Sequence, residues 1–593
     1  MRFESHQEKR YARMRKQGVR LPEVARPQGF QPPRKITLYS PAAPLAAASS
    51  TAVTPPPLAV IALNRAAFGP RPGDIEAFNA LGATDDARLT TWVDRQLDPD
   101  SIDDSALEAR LNIPAYQTLD KSLTQLWNDH HLSSDWVTRI RPVKESAYAK
   151  YVRATYSERQ LVEVLADFWH DHFNVYGYDD PANSLWVEYD QRVIRAHLLG
   201  NFRAMLEAVT KSTAMLDYLD NFVSSAESPN ENFARELMEL HTLGAGNYFG
   251  AIDPAAVPKD ANGVAVGFVE ADVKAVARCL TGWSYNTAWD SPPGHGEFLY
   301  RDYWHDDGAK QVLGVAIPAG QPALKDGRDV LDLLAAHPGT ARFVCEKLCR
   351  RLVADEPPAS LVESAAALFT AAWQAPDQLR QVVRHILLSS EFRSTWGEKI
   401  KRPFETAVSA MRVLRFDFTL VVDDSGSDEG TDWTYSEQLE WLFEAAGHAP
   451  FTWGPPNGFP DKRAVWSGTS ALVAGWRLVN HLLEGDYYGR NDSHPTGIHA
   501  PVLEDTLAAF PDPAQRTPNN LAAFWLERIL GYAPSQQLVS RIAAILDHSE
   551  TSDQHQDPDQ PINLDNNDWP TYWRAGLRAM VGMILMSPEF LHR

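Results

Sequence analysis

From about residue 58 onward the chain is written in helical period. Apolar positions recur at helical spacing, and the runs are opened by capping residues and closed by glycine. Ala59–Phe68 is apolar and stops at Gly69. Pro72–Leu81 stops at Gly82, and Thr84 predicts the cap of a helix reaching about Leu97. Ser157–His172 is long and continuous. Ser228-Pro229-Asn230-Glu231 combines a capping Ser, a Pro at the first helical position and a Glu at the third. That helix is expected to run to Leu243 and stop at Gly244, a left-handed cap. Further helices are predicted at 270–281, 328–336, 340–353, 359–373, 377–388, 399–415, 435–446, 468–484, 518–530, 535–547 and 570–586. Gln311–Ile317 is the best strand candidate. The fold class that follows is mainly α, a large multi-helix domain with long loops and at most minor short strands.

Three regions are expected. Residues 1–57 begin basic, with Lys9, Arg10, Arg13, Arg15, Lys16 and Arg20, and continue rich in Pro and Ala. They read as a disordered or wrapping arm. The most apolar piece, Pro44–Val53, is broken by Ser49, Ser50 and Thr51, and Ile36–Ala48 is interrupted by Pro41 and Pro44, so no signal peptide is recognised and the sequence alone points to the cytoplasm. Residues 58–420 form the main helical domain. Residues 421–593 are its C-terminal part or a second subdomain, with a polar, mobile loop at 548–568. Asp423–Asp432 is acidic but lacks the ligand order of a calcium loop and reads as solvated. His385–Phe392 and Met583–Phe590 echo each other as an apolar helix end followed by a capping Ser. A repeated unit and a reused helix-end motif both account for the echo.

Composition excludes some functions. Lys and Arg total 56 against 77 Asp and Glu, a formal charge of −21, which argues against phosphate-backbone binding as the main role. Three cysteines exclude a disulfide scaffold. No apolar run is long enough for a membrane-spanning helix. The 18 tryptophans serve a large core or offer stacking platforms for sugars. No P-loop, nucleophile elbow or His-Glu-x-x-His zinc motif is present. Cys279, Cys345 and Cys349 read as packing residues.

Two histidine-bearing segments are the candidate seat of chemistry. In Glu163–Asn174 the helical wheel puts Glu163, Asp167 and His170 on one polar stripe. Leu161, Leu165, Phe168 and His172 fall on the opposite face. His172 is expected in the core, and His170 toward solvent or a cleft. In Asn230–Gly244, Asn232, Glu236 and Glu239 share a stripe with Arg235 at its edge, and His241 lies on the apolar side. Glu236 and Glu239 could share a divalent metal, split acid and base roles, or simply pair with Arg235 at the surface. His172 and His241 are core histidines or ligands of a metal held across the two helices. In an enzyme, Arg235 would hold an anionic group, with Asn174 and Asn232 as hydrogen-bond partners. Trp283 and Trp453 are candidate substrate-binding aromatics, and Trp453 with Phe459 on the rigid 451–462 turn could wall a cleft.

These segments resemble the bacterial domain-of-unknown-function 1800 family. The resemblance rests on Asn230–Gly244 followed by Ala271-Asp-Val and Ala277–Trp283. It continues in order through Leu63–Gly69, Phe168–Asn174, Met215–Asn221, His305–Lys310, Leu313-Gly314 and His337–Ala341. Lys401-Arg-Pro403, Pro455–Pro460 and Ser587–Phe590 complete it, so that it covers about residues 60–593. It implies a large, mainly helical domain without an established activity. It also implies export and a neighbouring sulfatase-superfamily-like protein as partner. The chain departs from the family in lacking a recognisable signal peptide and in reading Gly458-Phe-Pro460 where Val-Gly-Trp is expected. Two functions stay open. One is a metal-assisted or acid–base hydrolase of a glycan or other polar polymer. The other is a non-catalytic binding or assembly protein.

Overall fold

The capping residues read from the sequence are used as such. Thr84 accepts a hydrogen bond from the Ala87 amide and opens the helix Asp85–Gln96. Ser389 and Ser587 each accept from the amide of a phenylalanine three residues on, Phe392 and Phe590. Each opens a short terminal helix, Ser390–Ser394 and Pro588–Leu591, after a longer one. The sequence echo is therefore also an echo of structure.

The computed structural model describes residues 55–261, 263–287, 290, 294–422, 435–483, 500–547, 557–565 and 573–593. The loop Asp423–Asp432, nearly all of the 1–57 arm and most of 548–568 lie outside these residues. Helices dominate, with two antiparallel two-stranded sheets. Trp283–Tyr285 pairs with Phe298–Tyr300, and Lys310–Val312 with Val315–Ile317. The predicted strand 311–317 is thus a hairpin, because Leu313 and Gly314 both take positive φ and reverse the chain. No helix among the described residues is long and apolar enough to cross a membrane.

One prediction of a helix start is corrected. Ser228 forms a narrow bridge with Ser225, and Asn230 is the cap, accepting from the Phe233 amide before the helix Glu231–Glu236. The helix then widens into a π turn, Leu237–His241. The longest helix among the described residues, Trp136–Tyr156, is not foreseen. Pro142 sits inside it and cannot donate to the Thr138 carbonyl. His130 Nδ1 donates to that carbonyl instead, at 2.7 Å, so the orphaned acceptor is satisfied from a neighbouring segment.

The core is continuous from Ala59 to Phe590 and holds a second, ionic layer. Asp167 on the helix Gln160–His172 meets Lys150 at 2.6 Å, Arg351 at 3.1 Å, and Arg402. Glu405 takes Arg351 and Arg402 and, at 2.6 Å, Arg593. Asp171 binds the other arm of Arg402 at 2.8 Å. Asp167, Arg351, Arg402 and Glu405 each have side chains only 2% exposed. Burial alone would raise these carboxyls. The facing cations win: Lys150 with Arg402 and Arg351 holds Asp167, and Arg351 with Arg593 and Arg402 holds Glu405, well below the usual range, and Lys399 with the same arginines holds nearby Asp461 at about 2.

Removing one partner leaves its opposite charge buried. Glu405→Gln or Arg402→Met should therefore cost about 3–5 kcal/mol in urea unfolding. The native pKa values of these carboxyls lie below the unfolded ones. Their contribution is complete above pH of about 5 and is lost as pH falls through the unfolded and then the folded values. The urea midpoint should stay flat through neutrality and drop steeply on acidification, and that drop should shrink in Glu405→Gln.

Candidate active site

The helix Gln160–His172 is buried on both sides, which corrects the expected exposure of its polar stripe. Glu163 accepts two parallel bonds of 2.9 Å from Arg195. His170 is 7% exposed and shares Asp190 with Arg195, its Nε2 lying 2.8 Å from Oδ1. Its ring stacks on Trp186 and faces Phe451. The stripe is polar because it meets arginines, not water.

His172 and His241 do come together. Their ring centres lie 6.4 Å apart, and His172 Nε2 donates to the His241 carbonyl at 3.1 Å. Each residue is 1% exposed. Burial lowers both, His241 to about 3, so both rings are neutral. Among the described residues no three His, Cys, Asp or Glu side chains converge as a metal site needs. The geometry gives the metal expectation no support.

Arg235 is committed elsewhere. It grips both oxygens of Glu270 at 2.8 and 3.0 Å, approaches Glu239 at 3.6 Å, and lies over the Tyr248 ring. These contacts tie Arg235 to the 245–270 segment. Asn232 is exposed. Trp283, with no exposed surface, packs on Gly327 and offers no stacking face. A β-carbon at Gly327 would stand 2.4 Å from the indole, so the two positions fit only as a pair.

Asn174 and the turn that carries Trp453 come together beside Tyr218, a residue the sequence pattern does not mark. Asn174 Nδ2 donates to the carbonyls of Trp453 at 3.0 Å and Pro455 at 2.7 Å. The Tyr218 hydroxyl donates to the intervening Gly454 carbonyl. Burial raises the Tyr218 phenol, and Asp179 and then the half-buried Glu236 add to the rise. Burial first, then Glu239, lifts the Glu236 carboxyl, against the pull of Arg235. Trp453 stands half-buried 4.9 Å from Phe459, its indole N–H held by Asn457.

Beside Tyr218, Asp217 is the most unusual carboxyl of this region. Burial pushes it up to about 7, and Asp180, Asp220 and Asp179 add to the rise. The Tyr285 hydroxyl opposes the rise by donating to Oδ1 at 2.8 Å. Asp217 comes from the helix Thr213–Tyr218 and Tyr285 from the first hairpin, whose pairing with 298–300 fixes the phenol. Such a carboxyl exchanges its proton near neutrality, as a general acid or base must. A signal existed in the Asp-Tyr pair of Met215–Asn221, but its tyrosine partner lies on a strand no periodicity revealed.

The folded-state pKa of Asp217 is raised. Ionising it in the native state costs stability as pH climbs from about 4 toward 7. Asp217→Asn should therefore be more stable than the parent at pH 8, by up to about 2 kcal/mol for a half-buried group, and should converge with it at pH 4. Thermal unfolding at the two pH values reads this directly.

Other recurring motif residues are structural joints. His337 accepts from the Gly339 amide and donates to the Ala265 carbonyl, and Arg278 clamps Asp306. Lys310 pairs with buried Asp326 at 2.5 Å. No curated protein and no solved structure matches the chain. A family model does match residues 61–592, and the chain belongs to the family described as Protein of unknown function (DUF1800).

Proposed function

We propose that the protein is an acid–base hydrolase acting on a glycan or other polar polymer, with Asp217 as proton donor and Glu236 as base. The observation that carries this reading is the Asp217–Tyr285 pair, a carboxyl poised about neutrality and oriented by one phenol. Glycosidic cleavage needs one carboxyl that keeps its proton at working pH and a second that acts on water or the sugar. Asp217 suits the first role. Glu236, whose charge is less disfavoured, suits the second. Trp453 and Phe459 supply an aromatic wall against which a sugar face can lie. Asn174 and Tyr218 hold that wall by its backbone and so act as positioning residues.

The test is release of new reducing ends from a panel of soluble polysaccharides. Asp217→Asn should lower turnover at least about 100-fold while leaving the fold intact by circular dichroism. A general acid must be protonated, so activity should decline as pH rises through about 7. Tyr285→Phe removes a donor that favours the ionised form, which should carry that decline to higher pH. Full turnover in Asp217→Asn would overturn the assignment. Absence of turnover across the panel would favour the binding reading, with a sulfatase-superfamily-like partner as its first candidate.

A further inference from the structure

Every other lysine within the ionic interior has a partner. Lys150 binds Asp167, Lys310 binds Asp326, Lys399 binds Asp355 and Asp461, and Lys401 donates to the Phe590 carbonyl. Lys347, on the helix Pro338–Leu352, is the exception. No carboxylate among the described residues lies within ion-pair distance of its ammonium, and its stem is half-buried.

Its nearest surroundings are aromatic and neutral. The ammonium lies 5.6 Å from the centre of the Phe343 ring, which is 6.2 Å from the His172 ring. Phe343 is itself pressed against Gly244, where a β-carbon would fall 2.7 Å from the ring. The wall is completed by His241, beside His172 and Phe173. The His172 Nε2 hydrogen is spent on the His241 carbonyl, so its Nδ1 carries a lone pair. That atom and His241 Nε2 are both buried without a partner. The amine thus lies over a phenyl ring and near enough to both imidazoles to lower them further, and none of these groups balances its positive charge as a carboxylate would.

We propose that Lys347 is a reactive amine, a covalent site for small aldehydes that no part of the hydrolase reading uses. The Nζ lone pair attacks the carbonyl carbon. The carbonyl oxygen leaves as water with the two amine hydrogens, and a carbon–nitrogen double bond remains. No other reactant is required. The charged neighbours agree with a free amine near neutrality. Burial lowers Lys347 to about 8 against the pull of Asp171, with Arg350 adding to the fall and Asp461 opposing it. An ordinary lysine would be almost wholly protonated there.

The experiment treats the intact protein with glycolaldehyde and sodium cyanoborohydride, which reduces the imine to a stable secondary amine, and maps the adducts by peptide mass spectrometry. Lys325 and Lys462 serve as internal references on the exposed surface. At pH 7.5 Lys347 should be modified about tenfold faster than either, with half-maximal rate near pH 8. Lys347→Arg should lose this fast adduct and keep the slow ones. Equal rates at the three lysines, or a Lys347 rate still climbing above pH 10, would overturn the proposal. The comparison is made within one folded sample, so it holds even where the variant folds poorly. It is also read without any hydrolase assay.

Discussion

The interior of this protein is organised by charges that cannot be left alone. Asp167 and Glu405 are each surrounded by cations, and Arg402 bridges them while reaching Asp171. Ions taken out of water are tolerated only when their partners are in place. Segments around residues 150, 167, 351, 402 and 593 must therefore reach one point together. The helix Gln160–His172 is pinned at this point by its middle. Its C-terminal end then delivers Asp171, His172 and Asn174 in fixed directions. Asn174 holds the turn at 453–455, and Gly458 packs so closely on the Asp171 carbonyl that a β-carbon would stand 1.9 Å from it. The candidate active site is assembled at the edge of the ionic layer.

The sequence was most readable where one physical effect acted alone. Ser389 and Ser587 show their helix starts in the pattern of capping residue and buried phenylalanine. It was least readable where tertiary partners supplied what the local chain lacks. Pro142 reads as a helix breaker, and only His130, from a separate segment, makes the helix Trp136–Tyr156 complete. The polar stripe of Glu163, Asp167 and His170 has the spacing of a solvent face. Its burial depends on Arg195, Arg351 and Arg402, which no wheel drawn for one helix can contain.

The site was half legible for the same reason. His172 and His241 each read as lying on an apolar face and stand side by side, while Asn174 and Tyr218 both hold the turn that carries Trp453. Trp283 was misread because an aromatic side chain gives no sign of whether it faces solvent, and Gly327 makes the space that buries it. Asp217 was passed over because an aspartate in a short helix is ordinary. What sets it apart is its burial among Asp179, Asp180 and Asp220, and its one phenol partner, Tyr285, lies 68 positions away in the chain.

The closeness of Gly458 to the Asp171 carbonyl has a consequence for heredity. The resemblance led to a different tripeptide at 458–460, yet here the turn touches helix backbone with no room for a side chain. Backbone cannot be trimmed by mutation, so a lineage carrying any larger residue at this position must seat the whole turn elsewhere. Trp453 rides on that turn. A single codon thus sets how closely the turn, and Trp453 with it, can seat against the helix Gln160–His172.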